Sequence, residues 1–77
     1  MIEIYSADWC DYCTKAKTLL EDKGMPFEEH DMDDDEVINE LAERMPEPSS
    51  KIPQIFIDGD HIGGYDDLAV HLQHQPD

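Results

Sequence analysis

Apolar and polar side chains alternate along Met1 to Tyr5, with Ile2 and Ile4 on either side of Glu3, the period of a short strand with one buried face. After Ser6-Ala7-Asp8-Trp9 the period lengthens. From about Asp11 a helix is expected, with Ala16, Leu19 and Leu20 on one side and Lys15, Lys17, Glu21 and Lys23 elsewhere. Gly24, with Pro26 two residues later, stops it. Phe27 to Asp31 reads as a second strand, placed at a sheet edge by its charges. From Asp33 a second helix carries Val37, Ile38, Leu41, Ala42 and Met45 at helical spacing, with Asp33 as N-cap and Glu36 as its capping-box partner. Pro46-Glu47-Pro48-Ser49-Ser50 reads as loop.

Ile52 to Ile57 is the most strand-like run in the chain and is expected to be buried on both faces. Asp58-Gly59 is a hairpin turn that folds His61-Ile62 back against it. Gly63-Gly64 breaks that strand. Asp66 or Asp67 then caps a last helix with Leu68, Ala69 and Leu72 inward. The order β-α-β-α-β-β-α begins with two parallel strands joined by a right-handed crossover and ends with an antiparallel pair in the same sheet.

Seventy-seven residues make one domain, expected to span residues 1–77, with a thin core. No apolar stretch approaches the length of a membrane span. Glu3 interrupts any apolar start of the kind a signal peptide needs, so the expected compartment is cytoplasmic. A formal net charge of −15 argues against nucleic acid and anionic membranes as partners, because both would be repelled at long range. Much of that charge lies between Glu28 and Glu36. The run lacks the glycine of a calcium loop and reads as a solvated helix start.

The chemistry is concentrated in Cys10-Asp11-Tyr12-Cys13. A thiol at the opening turn of a helix meets unpaired backbone N–H groups and the positive end of the helix dipole, both of which favour a thiolate. Helical positions i and i+3 bring the two Cα atoms to roughly 5 Å, within the span of a disulfide. In the cytoplasm such a pair is catalytic or metal-binding rather than a staple. A zinc site would need two more ligands from His30, His61, His71 and His74. Their spacing does not match that of a finger, and no metal is expected. The remaining alternative is a non-enzymatic acidic interaction protein with incidental cysteines.

Three motifs together resemble a glutaredoxin, a small dithiol member of the thioredoxin-like family. They are Cys10-Asp11-Tyr12-Cys13, Ile52-Pro53 and Gly63-Gly64-Tyr65-Asp66-Asp67. The resemblance runs over nearly the whole chain. It implies a thioredoxin-like α/β fold, a four-stranded mixed sheet with three helices, and a cis peptide before Pro53. It also implies a monomer that exchanges thiols and disulfides with glutathione as co-substrate. Cys10, exposed at the helix start, would attack a protein disulfide or a glutathionylated cysteine, and Cys13 would resolve the mixed disulfide. Glutathione would lie against Tyr12, Ile52, Pro53, Gly64, Tyr65, Asp66 and Asp67, its γ-glutamyl end on backbone N–H groups and its ammonium beside Asp66 or Asp67.

The sequence departs from that family's pattern at three positions. Asp11 stands where relatives carry proline, and its charge opposes an anion at Cys10. Ala7 stands where many relatives carry a lysine that meets the glycyl carboxylate, leaving Lys51 or Arg44 as substitutes. Trp9 before Cys10 is similar to thioredoxin, and reads as an aromatic lid packed beside the site. Two further readings stay open, the first on account of Ala7 and Trp9. One is a redoxin reduced by thioredoxin reductase that feeds ribonucleotide reductase. The other is a glutaredoxin holding a [2Fe–2S] cluster between protomers.

Overall fold

The computed structural model describes residues 1–45 and 51–73; the expected loop 46–50 and His74 lie outside them. The elements are β1 (Ile2–Ser6), α1 (Asp11–Asp22), β2 (Phe27–Asp31), α2 (Asp35–Arg44), β3 (Gln54–Ile57), β4 (Asp60–Gly63) and α3 (Tyr65–Gln73). The strands form one sheet in the order β2-β1-β3-β4. β1 runs parallel to β2 and antiparallel to β3, which pairs antiparallel with β4. This is the thioredoxin-like arrangement that the resemblance implies. No helix of the described residues is long and apolar enough to cross a membrane.

Alternation along β1 divides the core between the two sheet faces. Ile2 and Ile4 pack with Ala16 and Leu20 of α1, Ile55 of β3, and Leu68 and Leu72 of α3. Tyr5 points the other way, against Phe56 and Leu41, with Val37 of α2 and its C-cap Met45 beside them. α1 and α3 therefore share one face and α2 covers the other. β2 lies at the edge, as its charges predict, and every residue along it except Phe27 and His30 is exposed.

On the α2 face a polar network stands where a longer core would be. Glu3 takes Arg44 in a two-pronged pair at 3.1 and 3.0 Å, and Arg44 also donates to the Tyr5 hydroxyl at 2.8 Å. His30 reaches Glu3 at 3.2 Å and stacks on Tyr5 at 4.6 Å. The Arg44 guanidinium lies 4.0 Å from the Phe56 ring centre. Arg44 holds the Glu3 carboxyl below its usual range, with His30 assisting and burial opposing.

Several local expectations are corrected. Asp34, not Asp33, caps α2: its carboxylate accepts from the Glu36 N–H at 2.9 Å, and Asp33 lies in the preceding turn, its own N–H donating to Asp31. Ile38 and Ala42 are exposed, because α2 meets the sheet along the narrower stripe of Val37, Leu41 and Met45. β3 begins at Gln54 rather than Ile52, since Pro53 has no N–H to give a ladder. Gly64, not Asp66 or Asp67, occupies the cap position of α3, its carbonyl accepting from the Leu68 N–H at 3.0 Å. Asp67 instead reaches back to accept from the Gly64 N–H at 3.2 Å, the return half of a capping box.

Candidate active site

The link from β1 to α1 places the cysteines. Cys10 is the N-cap of α1, with extended backbone, and its sulfur accepts from the Cys13 N–H at 3.2 Å. A thiol thus does what a serine or aspartate oxygen does at most helix starts. The Ala7 carbonyl accepts from the Cys10 N–H at 3.2 Å, closing the turn that delivers it. Cys10 is half-buried rather than fully exposed, because its sulfur lies against the Ile52 carbonyl oxygen at 3.8 Å. Both cysteines are free thiols.

Cys13, one turn on, is completely buried. Burial pushes its thiol up to about 12, with the hydrogen bond and charge of Cys10 adding to the shift. The Ala7 N–H and the Lys17 ammonium act in the opposite direction. The pair is therefore asymmetric: one sulfur is half-buried against the Ile52 carbonyl and the other is a fully buried, neutral thiol.

That groove encloses about 460 Å³. One wall is Lys51, Ile52, Pro53 and Gln54; the other is Gly63, Gly64, Tyr65, Asp66 and Asp67. Tyr12 and His61 complete the lining. The Ile52–Pro53 bond is cis. Gly63 has φ +123°, and a side chain there would run into the Asp67 carboxylate, so glycine is required for the cap to form. A Cβ at Gly64 would lie 3.5 Å from the Pro53 carbonyl oxygen, in ordinary contact.

A scan of family models matches residues 2–62 to Glutaredoxin. The chain belongs to the glutaredoxin family. Glutaredoxins are thiol–disulfide oxidoreductases, and the Cys10–Cys13 pair is this member's redox-active motif. The chain is 45% identical to glutaredoxin 3 of Escherichia coli K12 over 69 residues, covering 87% of itself and 80% of that protein. It is 45% identical over 71 residues to hybrid peroxiredoxin hyPrx5 of Haemophilus influenzae, covering 92% of itself but only 29% of that longer protein. Its fold is similar to a crystal structure of a buckwheat glutaredoxin–glutathione complex, with TM-score 0.79 and 25% identity over 94% of this glutaredoxin and 67% of the other.

The structure brings together at one groove the residues that the resemblance singled out, from Tyr12 through Ile52 and Pro53 to Gly64, Tyr65, Asp66 and Asp67. Arg44 is not among them. It is held on the α2 face by Glu3 and Tyr5, which leaves Lys51 as the substitute candidate that lines the groove. Trp9 is 72% exposed and forms no packed lid. Gln54 and His61 escaped the sequence reading. Gln54 is buried, donates to the Lys51 carbonyl at 2.9 Å, and presents its oxygen to His61 Nε2 at 2.7 Å. Only the hairpin register, which pairs His61 with Phe56, could have pointed to that contact.

Among the described residues one group of three potential metal donors converges, Glu3, Glu28 and His30. It lies away from the cysteines, and the Arg44 guanidinium spans both Glu3 oxygens.

Proposed function

We propose that this glutaredoxin reduces protein disulfides and glutathione mixed disulfides with glutathione as the electron donor. The observation that carries the reading is the position of Cys10, its sulfur 3.8 Å from the Ile52 carbonyl that forms the groove wall. A peptide thiol lying in the groove is thereby led to that sulfur.

The groove's chemistry suits glutathione along its length. The first N–H groups of α3, at Tyr65 and Asp66, have no acceptor within the helix and suit the γ-glutamyl carboxylate. Asp67 already accepts from Gly64, so Asp66 is the carboxylate left to meet the ammonium. Lys51 serves the glycyl carboxylate in place of the lysine that buried Ala7 does not supply. Tyr12 and Tyr65, their ring centres 6.1 Å apart, flank the middle of the peptide.

The reaction proceeds by two displacements. The Cys10 thiolate attacks one sulfur of the substrate disulfide, a new S–S bond forms, and the other sulfur leaves and takes a proton. The Cys13 sulfur then attacks Cys10, releasing the second substrate thiol and closing the Cys10–Cys13 disulfide. Two molecules of glutathione reopen it and leave as glutathione disulfide. Burial is the chief influence that holds Cys13 protonated, and the charge of a Cys10 thiolate adds to it; that added charge is gone once the Cys10 sulfur is bonded to substrate. Formation of the mixed disulfide therefore removes one of the forces that oppose ionisation of the second thiol.

A coupled assay on a glutathionylated peptide separates this reading from its nearest rival. NADPH consumption is expected with glutathione and glutathione reductase. Turnover with thioredoxin reductase alone would instead assign the protein to thioredoxin-type reduction.

A further inference from the structure

Behind Cys13 lies a polar cluster that the two displacements above do not use. Lys17 follows Cys13 by four residues, so both project from the same face of α1. Its ammonium donates to Glu29 Oε2 on β2 at 2.6 Å. The same oxygen accepts from the Ser6 hydroxyl on β1 at 2.7 Å, and Ser6 is 1% exposed. An ordinary surface ion pair joins two flexible chains. Here the carboxylate is pinned from behind by a buried hydroxyl, so the cation in front of it is fixed in place.

We propose that Lys17, held by Glu29 and Ser6, is a positioning residue of the resolving step, its fixed ammonium stabilising the Cys13 sulfur as an anion while it attacks the Cys10 mixed disulfide. The balance is Cys13–SH plus Cys10–S–S–R giving Cys10–S–S–Cys13 plus R–SH, with the Cys13 proton passing to the departing thiolate. Lys17 stays charged throughout. The charged and titratable groups around this centre are Cys10 at the N-cap of α1, Lys17 on α1, Asp8 ahead of the helix, and Glu29 on β2. The Ala7 N–H assists from the loop after β1. Glu29 keeps Lys17 protonated, its hydrogen bond outweighing burial.

The inference rests on the proposed order of attack, Cys10 first and Cys13 second, but not on glutathione. Stopped-flow reaction of the reduced protein with one equivalent of Ellman's disulfide therefore tests it independently. The first thionitrobenzoate released reports attack by Cys10, and the second reports closure by Cys13. Raising a thiol's titration by one unit costs tenfold in thiolate and returns about threefold in nucleophilicity, so the rate falls about three- to fourfold per unit. Lys17→Met is expected to slow the second release by at least that factor and to move its pH profile upward. Lys17→Arg is expected to restore both. Glu29→Gln, which frees the ammonium without removing it, is expected to slow closure in the same direction and provides the test if Lys17→Met does not fold. Closure unchanged in a folded Lys17→Met or Glu29→Gln protein, or not restored by Lys17→Arg, would reduce the cluster to a pin between α1 and the sheet. A missing first release would instead contradict the assignment of Cys10 as attacking thiol, and with it the proposed mechanism.

Discussion

The Cys13 N–H donates to the Cys10 sulfur at 3.2 Å, while the Cys13 sulfur lies wholly out of solvent behind it. One residue thus supports the other cysteine's sulfur with its backbone and keeps its own thiol shielded. Exposure and hydrogen bonding, rather than any difference in side-chain chemistry, set two identical groups apart.

Differential alkylation follows from that division. Iodoacetamide near neutral pH is expected to label Cys10 and leave Cys13 untouched, as read by peptide mapping. Equal labelling of both would contradict the burial described. The same burial has a stability consequence with a definite sign. Folding raises the Cys13 thiol from 9.0 to about 12, so the folded state holds this proton more tightly than the unfolded chain. The associated stabilisation is complete below about pH 9 and is lost as pH rises through about 12. Denaturant midpoints of the reduced protein are expected to fall over that window, and a Cys13→Ala variant is expected to lose less.

The Glu3–Arg44 pair titrates in the opposite sense. Its carboxyl is held below 4.5 by the guanidinium, so its contribution is complete above that value and is lost as pH falls through the lowered folded one. Arg44→Met is expected to cost about 1–3 kcal/mol, because it leaves Glu3 and the Tyr5 hydroxyl without their donor. Urea unfolding at pH 7 and pH 3 checks this: the variant and the parent protein are expected to differ less in acid.

Gly63 and Gly64 are adjacent but not equivalent. Gly63→Ala is expected to cost about 1–3 kcal/mol through its positive φ and its collision with Asp67, and to weaken glutathione binding by displacing the start of α3. Gly64→Ala makes only ordinary contact and is expected to be the milder change. Thermal melts and calorimetric titration with glutathione on the two variants decide the order.

Much of this was legible in the sequence, for physical reasons that differ between elements. Ile2 and Ile4 alternate with polar neighbours, and Ala16 and Leu20 fall a turn apart, so periodicity alone placed β1 and α1. The Cys10-Asp11-Tyr12-Cys13 spacing located the chemistry. What escaped were choices between neighbouring residues of the same kind. Asp33, Asp34 and Asp35 are equally good caps by type, and the chain's exit from β2 selects Asp34. Arg44 and Lys51 were equal candidates as substitute cations until the sheet put one on each side. The Gln54–His61 bond depends on hairpin register with a shift at Ile55/Phe56, which no local pattern announces.

The central claim, that Cys10 attacks at the groove and Cys13 resolves, is tested most directly by intact-mass measurement of Cys13→Ser and Cys10→Ser proteins after exposure to glutathione disulfide. The account predicts one glutathione on Cys10 in the first variant, removable by reduced glutathione, and none in the second. A Cys13→Ser protein that takes up no glutathione, or a Cys10→Ser protein that does, would contradict it.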